Sequence, residues 1–187
     1  NAFPDLPSEL LDELTDLVES PSLIKGDFDE AFLTLPPEVL ITVMQVHQRY
    51  IPLYLTDALK DSLALHSKDT LLPSFLCVSN GLLSSNDVIK KGNERVLKAR
   101  FSDAKFFLDL DLSLSSNQRR EKLSTVTFAE GLGNMLNRVE RIEWLSSRLI
   151  ELVKLSDEQA SFLQRAAYFC KQDLVSNIVS EFPELQG

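Results

Sequence analysis

The sequence predicts a mainly helical α+β protein, with a small sheet-containing N-terminal part over residues 1–110 followed by an all-helical part over 111–187. Three observations lead there. Two short apolar runs rich in β-branched and aromatic residues, "RYIPLYL" and "SFLCVSNG", are bounded by Pro73 and Gly81, as strands are. From Asn86 onward, apolar residues recur at three- and four-residue steps, as helices require. Between the two regimes, at about 108–117, "LDLDLSLSSN" marks a Ser-rich boundary. A chain of 187 residues that is 44% apolar can bury a sizeable core, and a charged fraction of 25% excludes general disorder.

Taken in order, "DLPSELLDELTDLVES" starts with Pro7 and Ser8 and spaces Leu10, Leu11, Leu14, Leu17 and Val18 as a helix does, with Pro21 as its stop. Pro36 and Pro37 stand where a second helix would begin, and Val39, Leu40, Val43 and Met44 then share a face. The two strands follow, and "TDALKDSLALHSKDT" between them reads as a polar loop with one helical turn. Asn86 is placed to cap a long basic helix, and "SLSSNQRREKL" opens another. In "GNMLNRVERIEWLSSRLIELVKL" the spacing of Leu136, Val139, Ile142, Leu145, Leu149 and Val153 predicts the buried side of a helix, with Trp144 in core or interface packing. Ser156 caps the helix after it.

Composition excludes several functions. No apolar run approaches the roughly 18 residues of a membrane span. The first residues lack a basic stretch followed by an apolar one, so no signal peptide is expected. Cys77 and Cys170 sit among apolar neighbours and read as reduced core residues in a reducing compartment. No P-loop, G-x-G-x-x-G, G-x-S-x-G or C-x-x-C occurs. His47, beside Arg49 and Tyr50 at a helix-to-strand junction, has no nucleophile or acid that sequence can assign to it and reads as structural.

Charge is the informative feature. The net charge is −9, and residues 1–33 hold nine acids against Lys25, a balance of −8. In contrast, Lys90, Lys91, Arg95, Lys98, Arg100 and Lys105 face only Glu94 and Asp103 in the stretch Lys90 to Lys105. At about 100° per residue, Lys91, Arg95, Lys98, Ser102 and Lys105 fall within roughly 80° of one another, a stripe about 21 Å long. Arg100 and Asp103 fall on the apolar side and are three apart, which predicts an ion pair across one turn. A basic stripe is either a solvated helix face or a surface that tracks phosphates, and composition alone does not separate the two. Arg49 and Tyr50 are further candidates for clamping or stacking RNA.

"KKGNERVLKARFSDAKFFLDLD" resembles a stretch of the β subunits of bacterial-type glycyl-tRNA synthetases, as do "LVESPSLIKGDFDEAFLTLPPEVLITVMQVHQRYIPLY" ahead of it and "LLPSFLCVSNG", "VTFAEGLGNMLNRVERI" and "CKQDLVSNIVSEFPELQG". Five ordered blocks cover almost the whole chain. The resemblance implies an internal fragment of about a quarter to a third of such a subunit. Its first part would be similar to the B3/B4 domain of phenylalanyl-tRNA synthetase and its second to the HD superfamily. It also implies a partner α subunit in an α2β2 tetramer, in which the α subunit makes glycyl-adenylate with ATP and magnesium. The β subunit, in the cytoplasm or a plastid stroma, supplies contacts to tRNA(Gly) and not to membrane. No cofactor and no catalytic residue is then expected within this chain. Lys91, Arg95, Lys98 and Lys105 become the candidates for tRNA contact, with Lys90 and Arg49 outside them.

Departures from the family pattern bear on the rival readings. An HD metal phosphohydrolase needs histidines and an adjacent His-Asp pair, but the matching place holds Gln172-Asp173, and His47 and His66 both lie in the first part. Asp173 is therefore expected to cap a helix or form an ion pair. Asn134, Asn137 and Arg138 stand where the family more often has Thr, Asp and Lys. Leu55–Thr70 reads as an insertion. A helical protein–protein scaffold is the other alternative.

Overall fold

The computed structural model describes residues 2–55 and 70–187 and is mainly helical with a small antiparallel sheet. His66 and all of the Leu55–Thr70 segment but its two ends lie outside the described residues. The chain divides into two compact units, Asn1–Phe106 and Phe107–Gly187.

The first unit is built on a four-stranded sheet in the order β1-β3-β4-β2, from β1 (Phe3–Pro4), β2 (Ser22–Asp27), β3 (Ile51–Tyr54) and β4 (Leu71–Ser79). The two strands read from sequence are β3 and β4. β2 was not foreseen as a strand: its alternation spans only six residues and includes Lys25 and Gly26. Six-residue pairing with β4, from Ser22–Ser79 to Asp27–Ser74, fixes it from a distance that local pattern cannot convey.

Each face of the sheet is covered by a helix. Leu10 and Leu14 of α1 (Ser8–Leu17) bury themselves with Ile51, Leu76 and Val78. On the other face lies α3 (Asn86–Leu112), whose Asn93 amide donates to Cys77 Sγ at 3.1 Å. Between them in sequence, α2 (Pro37–Ile41) passes directly into one π-helical stretch, Thr42–His47. A short 3₁₀ turn, Leu83–Ser85, runs into α3, so Asn86 is already helical and its side-chain oxygen accepts from the Ser22 hydroxyl at 3.4 Å.

Gly26 is required by packing. Its residue partner across the ladder is Phe75, whose ring is fully buried, stacks on Tyr50 with centroids 4.7 Å apart, and covers the glycine so closely that a Cβ would collide with it. Gly26→Ala should destabilise the unit by about 1–3 kcal/mol through overpacking, read as a lower urea midpoint. Cys77 is buried in the same layer, and burial pushes its thiol up while the Asn93 contact acts the other way. It should therefore resist a thiol reagent at neutral pH until denaturant is added, as a labelling time course would register.

The second unit holds α4 (Ser116–Lys122), α5 (Met135–Val153), α6 (Asp157–Phe169) and α7 (Asn177–Glu181). Its helices are interrupted by a two-stranded hairpin, β5 (Thr127–Ala129) with β6 (Gly133–Asn134), where an all-helical part was expected. Gly131 and Gly133, at φ 75° and 84°, supply the left-handed backbone of its turn. Ser115, Asn134 and Ser156 each form a reciprocal capping box with the residue three positions on. Asn137 thus has a defined structural role.

In α5 the expected core side holds over the first turns, where Val139 is fully buried and Leu136 packs beside it, and fails further on. Leu123, Met135 and Val139 form the buried cluster, with Ser146 also buried. Leu145, Leu149, Leu152 and Val153 are more than half exposed, and so is Trp144. The helix carries two apolar rows, and periodicity does not say which one finds a partner.

Candidate nucleic-acid interface

The rotation of α3 decides what its basic residues can do. Leu97, Phe101 and Ala104 are fully buried, and Phe28 and Phe32 place their rings against Phe101 at 5.1 and 5.5 Å. These contacts turn Lys91, Arg95, Lys98, Ser102 and Lys105 outward together, and all five are exposed. Arg100 and Asp103 are exposed as well, and Asp103 forms no ion pair with any described residue, so the expected core-face pair between them is corrected. The apolar Val88, Val96 and Phe106 of the same helix are exposed too.

Within the stripe, Lys91, Arg95 and Lys98 make no ion pair with any described residue. The Ser102 hydroxyl donates to the Lys98 carbonyl at 2.9 Å, a contact internal to the helix. The two outer candidates are held elsewhere. Lys90 Nζ lies 3.3 Å from Asp27 and 3.6 Å from Glu94. Arg49, at φ 57°, donates from Nε to Glu13 of α1 at 2.8 Å. The open part of the surface therefore runs along α3 and leaves Lys90 and Arg49 to structural pairing.

Arg95 and Lys98 form one wall of an open cleft of about 550 Å³ that also touches Asp27, Phe28, Asp29 and Glu94. The acids there already have partners. The Ser74 hydroxyl donates to Asp27 at 2.7 Å, and that bond first, with Lys90 and Lys25 adding, holds the Asp27 carboxyl below its ordinary range despite some desolvation. Asp29 accepts from the Ala31 amide at 2.9 Å, and Glu94 accepts from the Asp27 amide at 3.0 Å. These bonds occupy the three carboxylates, and none of them forms an ion pair with Arg95 or Lys98. Sequence had not linked Phe28, Asp27 or Asp29 to the stripe, because only the β2–β4 register brings them there.

Gln172 and Asp173 belong to a short 3₁₀ turn, Gln172–Val175. Asp173 neither caps a helix with its side chain nor forms an ion pair; Ser176 is the cap of α7, and the Asp173 backbone carbonyl accepts from the Ser176 hydroxyl at 2.7 Å. Among the described residues no group of three or more His, Cys, Asp or Glu is arranged to hold a metal ion. No helix among them is long and apolar enough to cross a membrane.

The structural residue that sequence reading missed is Asp111. It is buried, and its carboxylate accepts from the Asn177 amide, the Asn177 side chain and the Ile178 amide at 2.8, 2.8 and 2.9 Å. The signal was present: Leu97, Phe101, Ala104, Leu108 and Asp111 continue one four-three-four-three core row.

A profile of the family described as glycyl-tRNA synthetase beta subunit matches residues 1–187. The chain is 43% identical over 184 residues to a glycine–tRNA ligase beta subunit of Trichodesmium erythraeum, covering 98% of this chain and 25% of that protein. It is 43% identical over 187 residues to one of Natranaerobius thermophilus, covering 100% and 26%. A third, of Gloeothece citriformis, is 42% identical over 182 residues, covering 97% and 24%. The chain thus spans about a quarter of the length of the curated relatives it matches.

Proposed function

The chain belongs to the glycyl-tRNA synthetase beta subunit family, and on that premise we propose that it serves the ATP-dependent attachment of glycine to tRNA by holding the tRNA backbone against α3. In this reading the chain contains no complete active site. An α subunit, joined to it in an α2β2 tetramer, uses ATP and magnesium for the chemistry. Lys91, Arg95 and Lys98 contact phosphates, with Lys105 continuing the row. The observation that supports this most directly is the exposure of three cations on one helix face without an acidic partner among the described residues. Contacts to phosphates fix register and orientation and carry no sequence information, so such a face positions the adaptor and leaves discrimination to other contacts. Its catalytic value lies in orientation: an acceptor end already held in place meets the adenylate in effectively unimolecular fashion.

Reversing Lys91, Arg95 and Lys98 to Glu in the assembled enzyme is the test. Affinity for tRNA should fall at least tenfold, and the slope of log affinity against log salt should become shallower by roughly three. Formation of glycyl-adenylate should be unchanged. Unaltered tRNA affinity would end this reading and favour a scaffold role, for which the exposed row Leu145, Leu149 and Leu152 is the structural candidate.

A further inference from the structure

The face of the sheet covered by α1 carries a second surface of opposite character. Between α1 and the edge strand β2 runs an apolar groove of about 330 Å³, with Leu11 and Val18 on one side, Leu23 on the other, and Ile51 and Val78 beneath. Leu11 is 49% exposed and Leu23 62%. Thr15 stands one turn beyond Leu11, so the helix side of the groove is a row with helical spacing.

The rim is acidic. Within α1 there are Glu9, Asp12, Glu13 and Asp16 and no basic residue, and Glu19 follows the helix. Glu13 is taken by Arg49, but Asp12, Asp16 and Glu19 have no hydrogen bond or ion pair with any described residue. An apolar centre bordered by charge is the anatomy of a protein interface.

We propose that this groove receives an amphipathic helix of net positive charge from a protein partner. Its apolar row, repeating at three- and four-residue steps, would lie along Leu11, Thr15 and Val18 and against Leu23, as helices occupy grooves elsewhere. Its lysines and arginines would meet Asp12, Asp16 and Glu19. Charge complementarity selects this occupant over a second copy of α1, because two such helices would bring like charges together. The surface is independent of the basic stripe and draws on none of its residues.

A photo-crosslinking phenylalanine placed at the exposed Leu11 position, in the subunit purified with its co-expressed enzyme partners, provides the test. Mass spectrometry of the crosslinked peptide should return one segment with an excess of Lys and Arg and apolar residues at helical spacing. The yield should drop at least fivefold when Asp12, Asp16 and Glu19 are changed to Lys, all three being exposed positions whose replacement leaves the core intact. The proposal is overturned by no crosslink, by a crosslinked segment that is neutral or acidic, by a crosslink to another copy of this chain, or by a yield that the three reversals do not change.

Discussion

Asp111→Ala should cost the second unit about 3–5 kcal/mol, enough to unfold a marginal domain. The carboxylate is 5% exposed and accepts three hydrogen bonds, two of them from the first amides of α7. Removing it leaves those amides and the Asn177 side chain facing a void with no acceptor, and hydrogen bonds to a charged group contribute about 1.5–3 kcal/mol each before compensation. Asp111→Asn keeps the shape but turns an NH2 toward donors, so it should recover only part of the loss. Trp144 is the chain's single tryptophan and lies in this unit, so its fluorescence reports the unit's urea transition directly. Glu130→Ala, at an exposed acid of the same unit with no partner among the described residues, should shift that transition by no more than about 0.5 kcal/mol. Equal effects from the two substitutions would show that the buried carboxylate does not hold α7.

The contrast between Asp111 and Arg100 shows what the sequence could and could not convey. Sequence reading placed Arg100 and Asp103 on the apolar face by angle alone. In the structure that face is split, and the packed row is the narrower one through Leu97, Phe101 and Ala104. An acid that continues a buried row, as Asp111 does, was the legible clue. The strands β3 and β4 were legible because they are fully apolar runs, and the Ser156 cap because its chemistry is local. β2 was not, since its partner lies some fifty residues on, and the far half of α5 was not, since either of its apolar rows satisfies the same period. The basic stripe was visible in the sequence, but its openness was not. That property depends on Asp27, Asp29 and Glu94 being tied by other bonds, which only folding arranges.

A further substitution tests what joins α4, α5 and α6. Arg120 has a side chain only 12% exposed, donates from Nη1 to the Tyr168 carbonyl at 2.7 Å, and stands over the Tyr168 ring at 3.9 Å. Its Nη2 forms an ion pair with Glu143 at 2.5 Å. One planar group therefore meets a carbonyl, a carboxylate and an aromatic face on two other helices. Arg120→Met preserves the packing of the stem but strands a partly buried carboxylate and a carbonyl. The expected loss is about 2–4 kcal/mol, below the full figure for a buried pair because Glu143 is 31% exposed. Arg120→Lys should restore little of it, since a point charge cannot reach all three partners at once. A double-mutant cycle with Glu143→Gln isolates the electrostatic share and should give a coupling above about 1 kcal/mol that persists in high salt, because a sheltered pair is screened less than an exposed one. Strict additivity in that cycle would mean that Arg120 acts through the ring and the carbonyl alone, and that Glu143 is held in place by its own helix.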